Sequence, residues 1–552
     1  MTSHNMATKK DASSPEQVQV YVVGSGPSVP VVKDKMADSD DLEKESLNKD
    51  NELPVHGHVT PRLILAVVFA VLGSFCFGYN TGVINAPEAV IKSFMNETEF
   101  RRNGVEMSET KTTSLFALIV AIFAVGGCCG GVMAGWWSNY FGRKNGMTVN
   151  AAIGFVAAAL MFFSKMGRTY EMIIVGRLLI GFNCGLYTGL TPLYLSEIST
   201  PNIRGALGVL HQLGVVSGIL LSQTLGFPEV LGNAGHWEIL LGLTFIPCLL
   251  QFLLFLGCPE SPRYLLITKG KEEEAAKALR LLRGTDHIHA DIEEMKAEAR
   301  QQAAEPKVTV ISLFRTPSLR MPLIISIMMH LSQQLSGIVG IFYYSASLLK
   351  GAGLDPTAAT HATSGVGGTM VLMTLITIPL MDRVGRRTLH LVGLAGMFVF
   401  SILITVALAL RDEVAWFKVG SIVVSLLYVV FFALGPGSIP WLIVAELFSQ
   451  GPRPAAISVS VLVNWVANFV VGYTFPFIQK GLGNFTFLPF SAFILLFFIF
   501  CFVYLPETKG KTFEDITMVW KKPVPNGNSD SSASPQKEGT YLVSYQKTPA
   551  SS

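Results

Sequence analysis

Residues 363–410 read TSGVGGTMVLMTLITIPLM, then DRVGRR, then TLHLVGLAGMFVFSILITVALAL. Two apolar stretches near the length that crosses a hydrocarbon core, about 20 residues each, flank a hexapeptide that holds Asp382, Arg383, Arg386 and Arg387. Neither flank has a polar face to offer water, so each reads as a helix that satisfies its own backbone in lipid, with the charge confined to the turn.

Working outward, similar apolar stretches fall at 63–84, 113–137, 146–164, 172–194, 206–225, 238–257, 322–347, 417–445, 455–478 and 486–505, which with 363–381 and 389–410 makes twelve spans. A polar segment at 264–320 divides them into six and six. Three motifs repeat across that division. Gly142-Arg143-Lys144 follows span two and Gly385-Arg386-Arg387 follows span eight, 243 positions later. Glu197 after span four answers to Glu446 after span ten at 249, and Pro259-Glu260-Ser261 after span six answers to Pro506-Glu507-Thr508 at 247. Near-equal offsets read as an internal repeat.

The rest of the chain agrees. Residues 1–62, 259–320 and 506–552 hold 49 of the 81 charged residues, and the other 381 positions share 32. A soluble chain of this length needs charge along its whole exterior, so a polytopic membrane protein is the reading. A net charge of +3 with scattered basic residues excludes nucleic acid as partner. Seven cysteines, Cys76, Cys128, Cys129, Cys184, Cys248, Cys258 and Cys501, sit in or beside apolar runs without metal-ligand spacing and read as small buried hydrophobes. No metal and no cofactor is expected. Residues 1–58 lack the pattern of a cleaved leader, which makes span one the expected insertion signal.

The charged motifs all follow even-numbered spans, together with the Lys and Arg of 263–320, so by the positive-inside rule that side is cytosolic and both termini lie there. Arg101, Arg102 and Lys111 run against the bias. The sequon Asn96-Glu97-Thr98 in the first outward loop agrees with it and makes Asn96 the expected glycan site; Asn484-Phe485-Thr486 hugs span twelve and is the weaker candidate. The domains expected are a disordered tail at 1–61, a bundle at 62–258, a helical linker at 259–320, a second bundle at 321–505 and a mostly disordered tail at 506–552.

Polar groups inside the spans are site candidates by default, because hydrocarbon gives them no other partner. Gln333, Gly337, Gly340 and Tyr344 in span seven are spaced for one stripe of a helix. Gln212, Asn464, Asn468, Thr81 and Asn85 repeat the chemistry in other spans. Helix–helix glue explains each taken singly. Together, neutral amides near Trp441 and Trp465 suit a polyhydroxylated ring, whose hydroxyls donate and accept while its C–H face stacks on an aromatic. Gly435-Pro436-Gly437-Ser438-Ile439-Pro440 in span ten marks a hinge or a static kink.

The blocks FGYNTGVINAP at 77–87, PESPRYLL at 259–266, QQLSG at 333–337, GRRTLHL at 385–391, GPGSIPW at 435–441, AELFSQGPRPAA at 445–456 and PETKG at 506–510 resemble those of the facilitative glucose transporters, a branch of the sugar porter family in the major facilitator superfamily. The likeness runs from about Arg62 to Thr517. It implies an all-α polytopic membrane protein with twelve transmembrane helices in two six-helix bundles, the major facilitator fold, moving hexose downhill through a central site opened alternately to each face. Carried over by resemblance, the sugar contacts are Gln212, Gln333, Gln334, Trp441, Asn464 and Asn468, with Phe77, Ile219, Phe432 and Trp465 shaping the pocket. Tyr343 and Tyr344 correspond to the outer gate. Cytosolic contacts between bundles correspond to Glu197, Arg204, Glu260, Arg263, Arg383, Arg386, Arg387, Glu446, Arg453 and Glu507.

The chain departs from that pattern at Val339, Gly368 and Ala433, where the family has two sugar-contacting asparagines and a glutamate, and at His330-Leu331-Ser332, where it has QLS. D-glucose uniport across the plasma membrane is the first expectation. Fructose or another hexose, proton symport and a non-transporting sensor are the alternatives; symport would put a carboxylate at Asn80. An enzyme is not expected, since no nucleophile arrangement, paired carboxylates or metal cluster lies near the predicted cavity. The partners expected are hexose and the lipid bilayer, with the oligomeric state undetermined.

Overall fold

The computed structural model describes residues 59–200, 203–304, 306, 308–411, 413, 416–511 and 516, without the side chains of 204–206 and 382. The chain divides into Met1–His56, which lies outside the described residues, and Gly57–Ser552, to which everything below refers. The two tails expected to be disordered also fall almost wholly outside them.

Among the described residues the regular structure is helical. Span one is Pro61–Gly82, two Glu109–Phe141, three Lys144–Phe163, four Glu171–Ile198, five Arg204–Leu225 and six Trp237–Phe255. Seven is Pro317–Gly351, eight Pro356–Val384, nine Arg386–Ala409, ten Trp416–Leu447, eleven Arg453–Leu482 and twelve Leu488–Tyr504. Eleven of these are long and apolar enough to cross a membrane, and the last is an apolar helix of 17 residues. The chain is a multi-pass membrane protein. Its outward face is apolar, with Ile64, Leu65, Val68, Leu372, Val423 and Leu496 at least 50% exposed, as lipid contact requires.

Local signals set the helix ends. Thr60 accepts the N–H of Leu63 ahead of Pro61, and Asp355 accepts those of Thr357 and Ala358 ahead of Pro356. In the first half, span one packs on five, and two and three pack on four; in the second, seven packs on eleven, and ten and twelve pack on nine. Spans two and four approach backbone to backbone: a Cβ on Gly126 would lie 2.1 Å from the Leu178 carbonyl oxygen, and one on Gly181 2.1 Å from that of Phe123. The halves meet where two packs on eleven and five on eight.

Between the halves, Glu272–Arg283 and His289–Ala304 close a small apolar cluster of Leu279, Ile288, Ile292 and Met295. Glu272, Glu273 and Glu274 occupy the first turn of the former helix and Arg280 and Arg283 the last, the arrangement its dipole favours. Arg283 donates to the carbonyls of Ile198 and Ser199 and so ties the linker to the end of span four.

Candidate functional site

The repeated motifs form two matching clusters. In the first half, Arg143 donates through Nε and Nη2 to Glu197 at 2.8 and 2.7 Å, Ser261 donates to the same carboxylate, and Glu260 accepts the backbone N–H groups of Arg143 and Lys144 at 3.0 and 2.9 Å. In the second half, Arg386 donates to Glu446 at 3.2 Å, Thr508 donates to Glu446, and Glu507 accepts from the N–H groups of Arg386 and Arg387 at 2.9 and 3.1 Å. A carboxylate thus caps the start of span three and again of span nine, satisfying orphan N–H groups at the positive end of a helix. Gly142 and Gly385 precede those starts at φ 94° and 101°, and a Cβ on either would lie 2.4 or 2.5 Å from the capping oxygen.

The bonds just described lie inside each half, because each acid is spent on a helix start or on the arginine of its own repeat. Arg263 pairs with Glu298 and Glu294 of the linker, Arg387 donates to the Phe502 carbonyl, Arg453 to that of Phe448, and the Arg383 carbonyl accepts from Lys509. The side chain of Arg204 lies outside the described residues.

Deeper in the second half, two spans break. Span seven is interrupted at residues 335–337, with Gly337 at φ 89°, and span ten between Leu434 and Ser438. The second break frees the carbonyls of Pro436 and Gly437, and Gln333 Nε2 donates to both at 2.8 Å. Carbonyls only accept, so this fixes the orientation of the amide and leaves Gln333 Oε1 to accept. It accepts from Asn464 Nδ2 at 2.7 Å and Gln334 Nε2 at 3.2 Å. Asn464 Nδ2 also reaches His330 Nδ1 at 3.1 Å, which makes that nitrogen an acceptor and puts the ring proton on Nε2. Asn464 Oδ1 accepts from Gln334 Nε2 at 3.1 Å, Gln334 Oε1 from Asn468 Nδ2 at 3.1 Å, and Asn468 Oδ1 from the Tyr343 hydroxyl at 3.4 Å. The result is a one-way relay of neutral groups in which donation runs from the Tyr343 hydroxyl to the carbonyls of the broken span ten.

Trp441 stands edge-on to His330 at 4.9 Å, and Phe432 edge-on to Phe342 beside the break. Trp465 lies between the halves, with its ring 5.9 Å from Phe77 of span one and 5.9 Å from Phe123 of span two. Its Nε1–H, facing Gly131 of span two, is buried with no bonded partner among the described residues. Ile219 is buried on span five and Gln212 half-buried there; no described bond joins Gln212 to the relay.

The stripe read on span seven resolves into two roles. Gly340 faces the Phe475 ring, Gly337 the Phe490 ring, and Tyr344 donates to the Gly472 carbonyl at 2.8 Å. These are packing contacts, and only Gln333 belongs to the relay, because the break at Gly337 turns the second half of the span. Asn85 is likewise a tie between halves: it donates to the Phe342 carbonyl and to Ser345, at 3.0 and 2.7 Å, and accepts from the Ala346 N–H. On the same face, Gln223 accepts from the Gly367 N–H, Lys480 pairs with Glu109 and His361 with Glu229. Sequence reading missed Arg177, fully buried in span four, donating to the carbonyls of Asn80 and Ile119 with its guanidinium 4.4 Å from the Phe123 ring. A lone charge in mid-span was the signal for it.

Twelve spans in two repeated halves, around broken helices and an uncharged cluster of amides and aromatics, define a membrane transporter for a neutral polar solute. The family profile described as sugar (and other) transporter matches residues 66–520, and the chain belongs to that family. It is a transporter and not an enzyme. It is 47% identical to facilitated glucose transporter member 1 of Gallus gallus, over 87% of this chain and 97% of the relative, and 49% identical to member 3 of Mus musculus, over 84% and 94%. Among solved structures, the xylose transporter XylE from E. coli in a partially occluded inward-open conformation matches with a TM-score of 0.69 at 25% identity, over 82% of this chain and all of that one. The proton:xylose symporter XylE bound to 6-bromo-6-deoxy-D-glucose matches with 0.67 at 26%, over 83% and 99%.

Proposed function

We propose that the chain carries D-glucose down its gradient across the plasma membrane by alternating access, as a uniporter. The single observation that carries this is the neutral relay Gln333–Asn464–Gln334–Asn468. Paired donors and acceptors of this kind match sugar hydroxyls, and a sugar entering the site exchanges its own bonds for those the amides now make to one another. Uniport is supported by neutral Asn80, whose Oδ1 accepts from Thr244 and whose Nδ2 donates to the Cys76 carbonyl. It is supported also by the higher likeness to facilitated carriers than to the proton symporter.

In this reading Gln212, Gln333, Gln334, Trp441, Asn464 and Asn468 contact the sugar, Phe77, Ile219, Phe432 and Trp465 wall it, and Tyr343 and Tyr344 gate the outer side. The halves 62–258 and 321–505 rock about it, joined by the linker 259–320, with both termini cytosolic and the glycan on Asn96. The charged residues of the repeated motifs, Glu197, Arg204, Glu260, Arg263, Arg383, Arg386, Arg387, Glu446, Arg453 and Glu507, lie on the cytosolic face. The bonds across the opposite face, at Asn85, Gln223, Lys480 and His361, hold the outer side shut.

Purified protein in liposomes tests this: labelled D-glucose should equilibrate and not concentrate. Accumulation above the outside level under an inward proton gradient, abolished by an ionophore, would refute uniport.

A further inference from the structure

On the face opposite the charged motifs, a cavity of about 450 Å³ opens between the helix Glu88–Asn103, the turn after span three and the start of span six. That volume is in the range of small-molecule sites, about 300–1,000 Å³. Its lining includes Phe94, behind which the Trp237 ring is buried, and its charges are Glu97, Arg101, Lys165 and Arg168. Glu97 is matched by Arg101 at 2.5 Å and Lys165 by Glu238 at 3.0 Å; just outside, Arg102 pairs with Glu171. Arg168 is the surplus cation. Among the described residues its guanidinium has no bonded partner.

The backbone of Arg168 forms the cap that follows span three. Arg168 has φ 50°, and it is the non-glycine residue found at positive φ among the described residues. The turn is closed by bonds from the N–H of Gly167 to the Phe163 carbonyl, of Arg168 to that of Lys165 and of Thr169 to that of Ser164. This geometry favours glycine or asparagine, yet a long cationic side chain occupies it. The positive φ is that of a left-handed helix cap, and it leaves the exposed Arg168 side chain at the rim of the cavity.

We propose that this cavity binds an amphipathic anion, a phosphate or carboxylate on an apolar body, with Arg168 holding the charge and Phe94 the body. The site is separate from the sugar relay. The chemistry fits either the phosphate of a phospholipid in the adjoining leaflet or a soluble amphiphile.

The test uses the full chain in non-ionic detergent with octyl phosphate as probe, read by calorimetry and by melting temperature. Wild type should bind saturably. Arg168→Gly should melt higher without probe, because glycine relieves the turn, and should bind the probe at least tenfold more weakly. Arg168→Lys should keep binding within a few-fold. A purely structural arginine cannot move stability and binding in opposite directions. Phosphorus assay of solvent extracts separates the sources. A phospholipid retained by wild type, displaced by octyl phosphate and missing from Arg168→Gly makes the occupant a lipid, whereas probe binding without retained phosphorus makes it soluble. Equal probe binding by wild type and Arg168→Gly, or no binding together with no Arg168-dependent phospholipid, would overturn the proposal. D-glucose uptake by Arg168→Gly should stay near wild type, so failure here leaves the transport reading intact.

Discussion

The two halves carry the same frame and different interiors. Both have an arginine–glutamate pair, a hydroxyl on the acid and a second acid capping a helix start. Yet the Arg143–Glu197 side chains are 9% and 10% exposed and those of Arg386–Glu446 18% and 28%. The first cluster is further covered by the Tyr264 ring, 4.9 Å from the Arg143 guanidinium. The interiors diverge more. In the first half Asn150 and Asn183 donate to one another's carbonyls, and Gln251 bonds Tyr187 and the Phe69 carbonyl, so amides are spent on holding helices. In the second, where spans seven and ten are broken as span six is in the first, the amides face each other. Repetition therefore supplies the rigid frame, and departure from it supplies the site.

If burial is the difference between the clusters, truncation should cost unequally. Arg143→Ala leaves Glu197 buried without its partner and should destabilise by about 3–5 kcal/mol, whereas Arg386→Ala, in the more exposed pair, should cost about 1 kcal/mol. Melting of the two purified variants decides it, and equal losses would break the comparison. If instead the frame repeats in its backbone, Gly142→Ala and Gly385→Ala should cost alike, about 1–3 kcal/mol each, since both force the same strained φ and the same clash.

The interior can be sharpened at the positions where this chain lacks family amides. A Cβ on Gly368 meets nothing within 4 Å, while Val339 is 2% exposed among apolar groups. Gly368→Asn should therefore strengthen D-glucose binding by about 0.5–1.5 kcal/mol, one neutral hydrogen bond, and Val339→Asn should gain less because it must first bury an amide. Uptake half-saturation constants for both variants check this.

The smallest effect is expected at the seam between the halves. Its own backbone N–H and then His361 hold the Glu229 carboxyl below the usual carboxylate range. Glu229 is thus ionised at neutral pH, and the bond its carboxylate accepts is weakened as pH falls through that depressed value. Glu229→Gln should shift the conformational balance slightly at neutral pH and not at all in acid, read by accessibility of an introduced cysteine at residue 364.

The twelve spans, the split at the linker and the repeat were legible because hydropathy and charge are one-dimensional signals that lipid enforces. The kink in span ten was legible from Gly435-Pro436-Gly437. The break in span seven was not, since a single Gly337 inside an apolar run is as common in plain helix packing, and continuing the helix through it put Gly340 and Tyr344 on the wrong side. Gln333, Asn464 and Asn468 stood out as amides in lipid, but that they bond one another, with the span-ten carbonyls setting the direction, depends on three spans meeting. The charged motifs were legible as a repeated set; that each acid is used within its own half followed only from the geometry of the helix starts.

The most direct test of a sugar site in the second half is the half-saturation constant for D-glucose of Gln333→Leu in liposomes, alongside its melting temperature. The substitution deletes the amide that both carbonyls of span ten and Asn464 hold in place. The account predicts folded protein with the constant raised about tenfold or more, the equivalent of 1.4 kcal/mol. Wild-type affinity in well-folded Gln333→Leu protein would contradict it.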